Sequence, residues 1–153
     1  DLTFEKRVFE ESRGNMLRSP RYQYNLLDKL GEKHCALCGC TIPDIIQGAH
    51  IWPVASIKAT NSISLDDKVR YATDGDNGLW LCENHHKLFD RNIIAIFNDG
   101  TFKYNRKLSH VHIPYLTGFT ENYHLPPVYI NDNFIKYVNL RNSSLNTANY
   151  VEF

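Results

Sequence analysis

The sequence predicts a mixed α+β domain organised around a metal-binding knuckle. Three observations carry this reading. Stretches of helical periodicity with capping signals alternate with short, β-branched runs. Cys35-x-x-Cys38 and Cys82-x-x-His85 form two half-sites of equal internal spacing. The 153 residues, 42% hydrophobic and 22% charged, suit one soluble domain with a modest core.

Taken in order, residues 4–12 read as a short amphipathic helix. Ser19-Pro20 then supplies an N-cap with proline at the first helical position, and Gly31 a C-terminal stop. Between them Tyr22, Leu26, Leu27 and Leu30 recur at helical spacing, which predicts a helix over 20–30. Ile45 to Trp52, bounded by Pro43 and Pro53, reads as a strand. Ser64-Leu65-Asp66-Asp67 has the placing of a helix start, for a short helix over 65–71. Asp74 to Gly78 is a turn by composition, and a helix follows from about Glu83 to Asp90. Ile93 to Phe97 and Thr101 to Tyr104 are strands joined by an Asn98-Asp99-Gly100 hairpin turn. Residues 105–130 hold three prolines and no clear period, and read as an ordered loop packed on the surface. Asn131 caps a last helix whose faces are set by Phe134, Ile135, Val138 and Arg141.

Cysteine usage points to metal rather than to disulfides. Cys35, Cys38 and Cys40 lie within six positions, and Cys82 stands beside two histidines. A small secreted scaffold would scatter its cysteines more densely. Cys35, Cys38, Cys82 and His85 offer three sulfurs and one imidazole for a closed tetrahedral zinc site, with Gly39 easing the turn. Cys40 could replace Cys38, but Cys-x-x-Cys is the more usual geometry and leaves Cys40 as a small packed thiol. Such a set implies a reducing, cytoplasmic setting. No stretch is apolar enough to span a membrane, and the N-terminus has no secretory pattern.

Charge narrows the options. Seventeen basic residues balance seventeen acidic ones, unlike the basic excess of a strong stand-alone nucleic-acid binder. Locally, Lys87, Arg91, Lys103, Arg106 and Lys107 outnumber Asp90 and Asp99, with aromatics interleaved from Phe102 to Lys107. A solvated hairpin edge explains that run as well as phosphate contact does.

A zinc ion with four protein ligands has no open position for water, so chemistry must lie beside it. His50 in Gly48-Ala49-His50-Ile51, Asn77 before Gly78-Leu79, and His86 after His85 are polar residues in apolar or tightly turned surroundings. A helix leads into Cys-x-x-Cys, then Ala-His-Ile, Asp-Asn-Gly-Leu-x-Leu-Cys and His-His-Lys-Leu-Phe-Asp-Arg, with Ile-Ile-Ala-Ile and Asp-Gly-Thr behind. This order over residues 18–104 resembles the HNH (ββα-metal, or His-Me finger) endonucleases, most closely the branch that serves as the nuclease part of bacterial restriction enzymes.

The resemblance implies a ββα-metal core with flanking helices, spanning about 18–104 of a single 1–153 domain, with 105–153 as a C-terminal extension. The chain begins at Asp1 and reads as a piece of something longer. His50 would be the general base; an imidazole of ordinary pKa near 6.5 suits that task at neutral pH. His86 would hold Mg²⁺ or Mn²⁺, and Asn77 would tie the turn so that His50 is aimed. Many members place a metal-binding aspartate or histidine just before the base, where this chain has Ala49. Asp90, four residues after His86 on the same helical face, is the candidate replacement; the alternative is a helix cap or a partner for Arg91. The substrate implied is double-stranded DNA, cut to 5′-phosphate and 3′-hydroxyl ends, with a homodimer on DNA and a tethered DNA-reading domain as plausible partners. Base readout has candidates in Arg18, Arg21, Gln23 and Asn25, and in Asn139, Arg141 and Asn142.

Three rivals compete. A zinc-stabilised DNA-binding module would keep the four zinc ligands but has no use for His50 together with His86. A nuclease toxin would carry a strong basic excess. RNA or single-stranded DNA could replace the substrate with the chemistry unchanged.

Overall fold

The structure, a computed structural model, describes Leu17 and residues 19–153. The short helix expected over 4–12 and the side chain of Arg18 lie outside the described residues. The architecture is α+β, with two small antiparallel sheets among short helices.

Helix α1 (Arg21–Leu30) ends at Gly31, whose φ of 77° is the left-handed conformation that glycine adopts without steric cost. It starts one residue later than the capping signal suggests: Pro20 is already helical, and Ser19 Oγ accepts from the Arg21 amide at 3.2 Å. Strand β1 (Ile46–His50) follows a 3₁₀ turn at Pro43–Ile45 and pairs antiparallel with β2 (Gly78–Cys82), with His50 opposite Gly78 and Ile46 opposite Cys82. All five residues of β2 are buried. This hairpin is sandwiched, α1 on one face and α4 (Glu83–Asp90) on the other, so β2 lacks the polar alternation that marks a half-exposed strand. α1 can lie this close because the hairpin offers glycines. A Cβ on Gly48 would stand 2.6 Å from Leu26 Cδ1, and one on Gly78 2.1 Å from the Tyr22 hydroxyl.

The connection from β1 to β2 holds two helices, α2 (Val54–Ala59), which the sequence reading missed, and α3 (Leu65–Thr73). Ser64 caps α3 by accepting from the Asp67 amide at 3.1 Å, a bond of the kind worth about 1 kcal/mol. A second sheet runs β3 (Ile94–Ile96), β4 (Phe102–Asn105), β5 (Tyr150–Glu152), and the chain's end supplies its unforeseen third strand. The stretch 105–130 is more than a surface loop. It contains α5 (Ile113–Phe119), entered with proline in its first turn, and two 3₁₀ turns. Helix α6 (Asp132–Asn142) is capped by Asn131, whose Oδ1 accepts from the Phe134 amide at 2.9 Å.

One contiguous core joins these elements, with Leu26, Ile51, Leu79, Trp80, Leu81, Phe89, Phe102, Phe134 and Val138 all under 2% exposed. Trp52 belongs to it at 7%, as core packing around the motif requires. No helix of the described residues is long and apolar enough to cross a membrane.

Candidate active site and metal centre

The four expected zinc ligands converge. Cys35, Cys38, Cys82 and His85 place their ligand atoms within 4.8 Å of one another. Cys38 Sγ lies 3.9 Å from Cys82 Sγ, and His85 Nδ1 lies 3.5 Å from Cys35 Sγ and 3.3 Å from Cys82 Sγ. A tetrahedral zinc ion sets these edges at about 3.8 Å for S···S and about 3.6 Å for S···N, so donor set and spacing both fit. The knuckle is closed by the Cys35 amide donating to Cys40 O at 2.9 Å and fastened to β2 by the Ala36 amide on Trp80 O at 2.8 Å. Cys40 is outside the cluster and half-buried against the core.

Electrostatics point the same way. Burial pushes the Cys38 thiol up to about 12, against the pull of the Cys40 amide, and burial also raises Cys82. Burial lowers His85 to about 4, which keeps its ring neutral as a ligand must be. Three thiols, Cys35 and Cys82 buried and Cys38 half-buried, around a neutral imidazole gain from one dication that favours their thiolates. The support behind His85 was invisible in the sequence: Nε2 pairs with Thr120 Oγ1 at 3.0 Å, and the ring stacks on Phe119 at 4.1 Å and 3°. Both residues come from the end of α5 and just beyond it.

The second site opens on a cleft of about 1260 Å³ whose wall includes His50, His86 and Asp90. His50 ends β1, its ring stacked on Tyr22 at 3.9 Å and 12°. Its Nε2 lies 2.8 Å from Ala72 O. A carbonyl can only accept, so Nε2 carries the proton and Nδ1 is the basic nitrogen. Asn77 stands behind the cleft, fully buried, and ties its rim together. Its Oδ1 accepts from the Trp52 amide at 2.7 Å, and its Nδ2 donates to Trp52 O and Tyr71 O, each at 3.1 Å. The Tyr22 hydroxyl in turn donates to Asn77 O at 2.9 Å.

His86 lies one turn before Asp90 on α4, with Nε2 3.4 Å from Asp90 Oδ2. Its Nδ1 is 2.6 Å from Gln47 Oε1. That amide oxygen accepts from Nδ1–H, and Nε2 faces the Asp90 carboxylate. Gln47 was not anticipated; its position in β1, facing α4, is set by the strand pleat. Ala49, on the same side of β1 as Gln47, is fully buried and contributes no ligand. Asp90 is 54% exposed, so the pair looks outward where His85 looks in.

Three readout candidates are otherwise engaged. Asn25 Nδ2 donates to Thr73 O at 2.6 Å, and Arg141 is buried among backbone carbonyls. Asn142 donates to Ile96 O at 2.8 Å. Gln23, by contrast, lines the cleft beside His50. His110, His112 and His124 are exposed and belong to no metal-type cluster among the described residues.

A two-stranded hairpin followed by a helix, presenting two histidines to one cleft and braced by a Cys₃His centre, is the ββα-metal architecture. Residues 35–96 match the family model described as HNH endonuclease, which supports reading this stretch as an HNH-family nuclease domain. The family is metal-dependent and implies endonuclease activity. No curated protein matches the chain. The matched stretch starts at the first knuckle cysteine and ends with β3, leaving α5, α6 and β5 outside it.

Proposed function

We propose that this domain hydrolyses phosphodiester bonds of double-stranded DNA and serves as the cleavage module of a bacterial restriction enzyme. The observation that carries the reading is the pair of oriented histidines at one cleft. Each ring is oriented by one protein oxygen, His50 through Nε2 on Ala72 O and His86 through Nδ1 on Gln47 Oε1.

His50 Nδ1 takes the proton from a water as its oxygen attacks phosphorus, a role worth about 10²–10⁴ in rate. The P–O3′ bond breaks, the 3′ oxygen leaves and takes up a proton from solvent, and the ends are a 5′-phosphate and a 3′-hydroxyl. Ala72 O fixes the tautomer, and Tyr22 holds the ring plane. Asn77 has no part in the proton transfer; by bonding both amide and carbonyl of Trp52 it fixes the backbone just past His50. His86 Nε2 and Asp90 would hold a Mg²⁺ or Mn²⁺ ion, the rest of its shell being water and phosphate oxygen. Such an ion, when bound, supplies Lewis-acid stabilisation of the phosphate charge. Cys35, Cys38, Cys82 and His85 hold structural zinc, which requires the reducing conditions of the cytoplasm.

We read residues 1–153 as one domain, because α6 and β5 bond to β3 and to the end of α4. The balanced charge fits a cutter that gains DNA affinity from a tethered reader or from a second copy.

The test is supercoiled plasmid, unmodified and methylated, incubated with zinc-loaded protein and Mg²⁺ or Mn²⁺. Nicking or linearisation is expected, abolished by EDTA and reduced about 10²-fold or more in His50→Ala. A folded wild type inert on both plasmids would overturn the catalytic reading.

A further inference from the structure

We propose that Arg141, on α6 and outside the stretch that matches the family, is a positioning residue of the nuclease centre. Its guanidinium staples the end of β1, which carries His50, to the end of α4, which carries His86 and Asp90. The inference rests on the reading of this cleft as a nuclease centre.

The contacts run to both sides. Nη1 donates to Ile51 O at 2.9 Å, with His50 O at 3.5 Å. Nη2 donates to Phe89 O at 2.7 Å, and Asn92 Oδ1 lies at 3.3 Å. The guanidinium carbon sits 3.7 Å from the Phe89 ring centroid. Asn92, just past α4, has φ of 58°, a left-handed conformation uncommon outside glycine. The C-terminal segment grips it a second time through Tyr150, whose hydroxyl donates to Asn92 O at 2.6 Å. The end of the helix that carries His86 and Asp90 is thus held from outside the matched stretch.

Stability alone is a poor reason for a guanidinium here. Arg141 is 7% exposed, and its Nε is buried with no hydrogen-bond partner. Burial lowers its pKa to about 10. Replacing buried charges with apolar side chains of similar volume is often neutral or stabilising. What an apolar filler cannot do is bind carbonyls of two elements in one plane. Lysine, a point charge with rotatable donors, can serve one side but not both in fixed register. Displacing a reacting group by about 1 Å costs on the order of 10²-fold in rate, and this staple adds to the hairpin a direct link between the strand of the base and the metal helix.

Arg141→Met and Arg141→Lys test the assignment on the full zinc-loaded chain, with plasmid cleavage, zinc content, thermal melting and the ring NMR signals of His50 and His86. The expected result is a folded, zinc-replete Met variant whose kcat is down about 10–100-fold with KM for plasmid within about twofold, and a Lys variant in between. Cleavage within about twofold of wild type in both variants overturns the proposal. So does a loss of rate that only follows loss of zinc and fold. If the wild type cuts nothing, the nuclease reading falls separately, and the NMR signals decide the staple: both histidine rings shifted in Arg141→Lys supports it, and both unmoved overturns it.

Discussion

His85 and His86 are successive residues of one helix, yet they serve opposite environments. Consecutive helical positions point about 100° apart, so α4 turns His85 into a closed knuckle at 0% exposure and His86 toward an open cleft with 22% of its side chain exposed. The knuckle is complete within the protein, with four ligand side chains and a hydroxyl behind the imidazole. In the proposed reading the cleft pair is incomplete by design, since two protein ligands would leave room for water and phosphate. A closed site stabilises the fold and an open one can take part in chemistry. The first holds the helix on which the second is built.

That contrast sets how each site should fail. The largest effect is expected from removing the closed site. Cys82→Ala, or exhaustive chelation, should unfold the domain, because a structural zinc site contributes on the order of 10 kcal/mol; loss of near-ultraviolet circular dichroism together with zinc release would register it. A domain that stayed folded without zinc would erase the distinction drawn between the sites. Asp90→Ala should instead leave zinc and melting untouched while Mg²⁺- or Mn²⁺-dependent cleavage falls about 10-fold or more. Unchanged divalent affinity by titration calorimetry would return Asp90 to the role of a helix-end carboxylate. Gln47→Ala sharpens the comparison further. It removes the acceptor that sets the His86 ring, and partners of this kind typically carry about 10–100-fold in metal affinity, read as a rightward shift of the Mn²⁺ activation curve at constant zinc content.

The smallest effect concerns the scaffold behind the cleft. Asp76 lies next to Asn77 and takes an ion pair from Lys29 and hydrogen bonds from Asn131 and Asn133. Burial tends to raise its pKa, but these partners outweigh it and hold the carboxyl below the usual aspartate value. A depressed folded-state pKa means that its contribution is present above the unfolded value near 3.9 and is lost as pH falls through the folded one. Asp76→Asn should therefore cost about 1 kcal/mol at neutral pH, given its partial exposure. That difference should shrink below about pH 4 in denaturant melts across pH, and a difference that persisted there would assign the loss to packing instead.

The same contrast separates what was legible in the sequence. Candidate ligands come in local pairs: Cys35 with Cys38, Cys82 with His85, and, in the proposed reading, His86 with Asp90. Those spacings are those of a knuckle turn and of a helix, and the Glu83–Asp90 helix lies where its residues announce it. Gly31, Ser64 and Asn131 likewise mark ends through purely local geometry. The stretch 105–130 read as loop because α5 is short and interrupted by proline and glycine, so it carries no sustained period. Arg141 read as a candidate for base readout because a guanidinium on a polar helix is usually solvated.

By itself, then, the sequence singled out the two half-sites and the three polar residues of the motif and placed α1, α3, α4, α6, β1, β3 and β4, all from interactions within a few residues. Only the tertiary structure decided which groups stand behind them. Ala72 O lies twenty-two positions from His50, Thr120 thirty-five from His85, and Gln47 thirty-nine from His86. A backbone carbonyl has no sequence signature at all, and a threonine or glutamine has none until chain packing brings it within hydrogen-bonding distance.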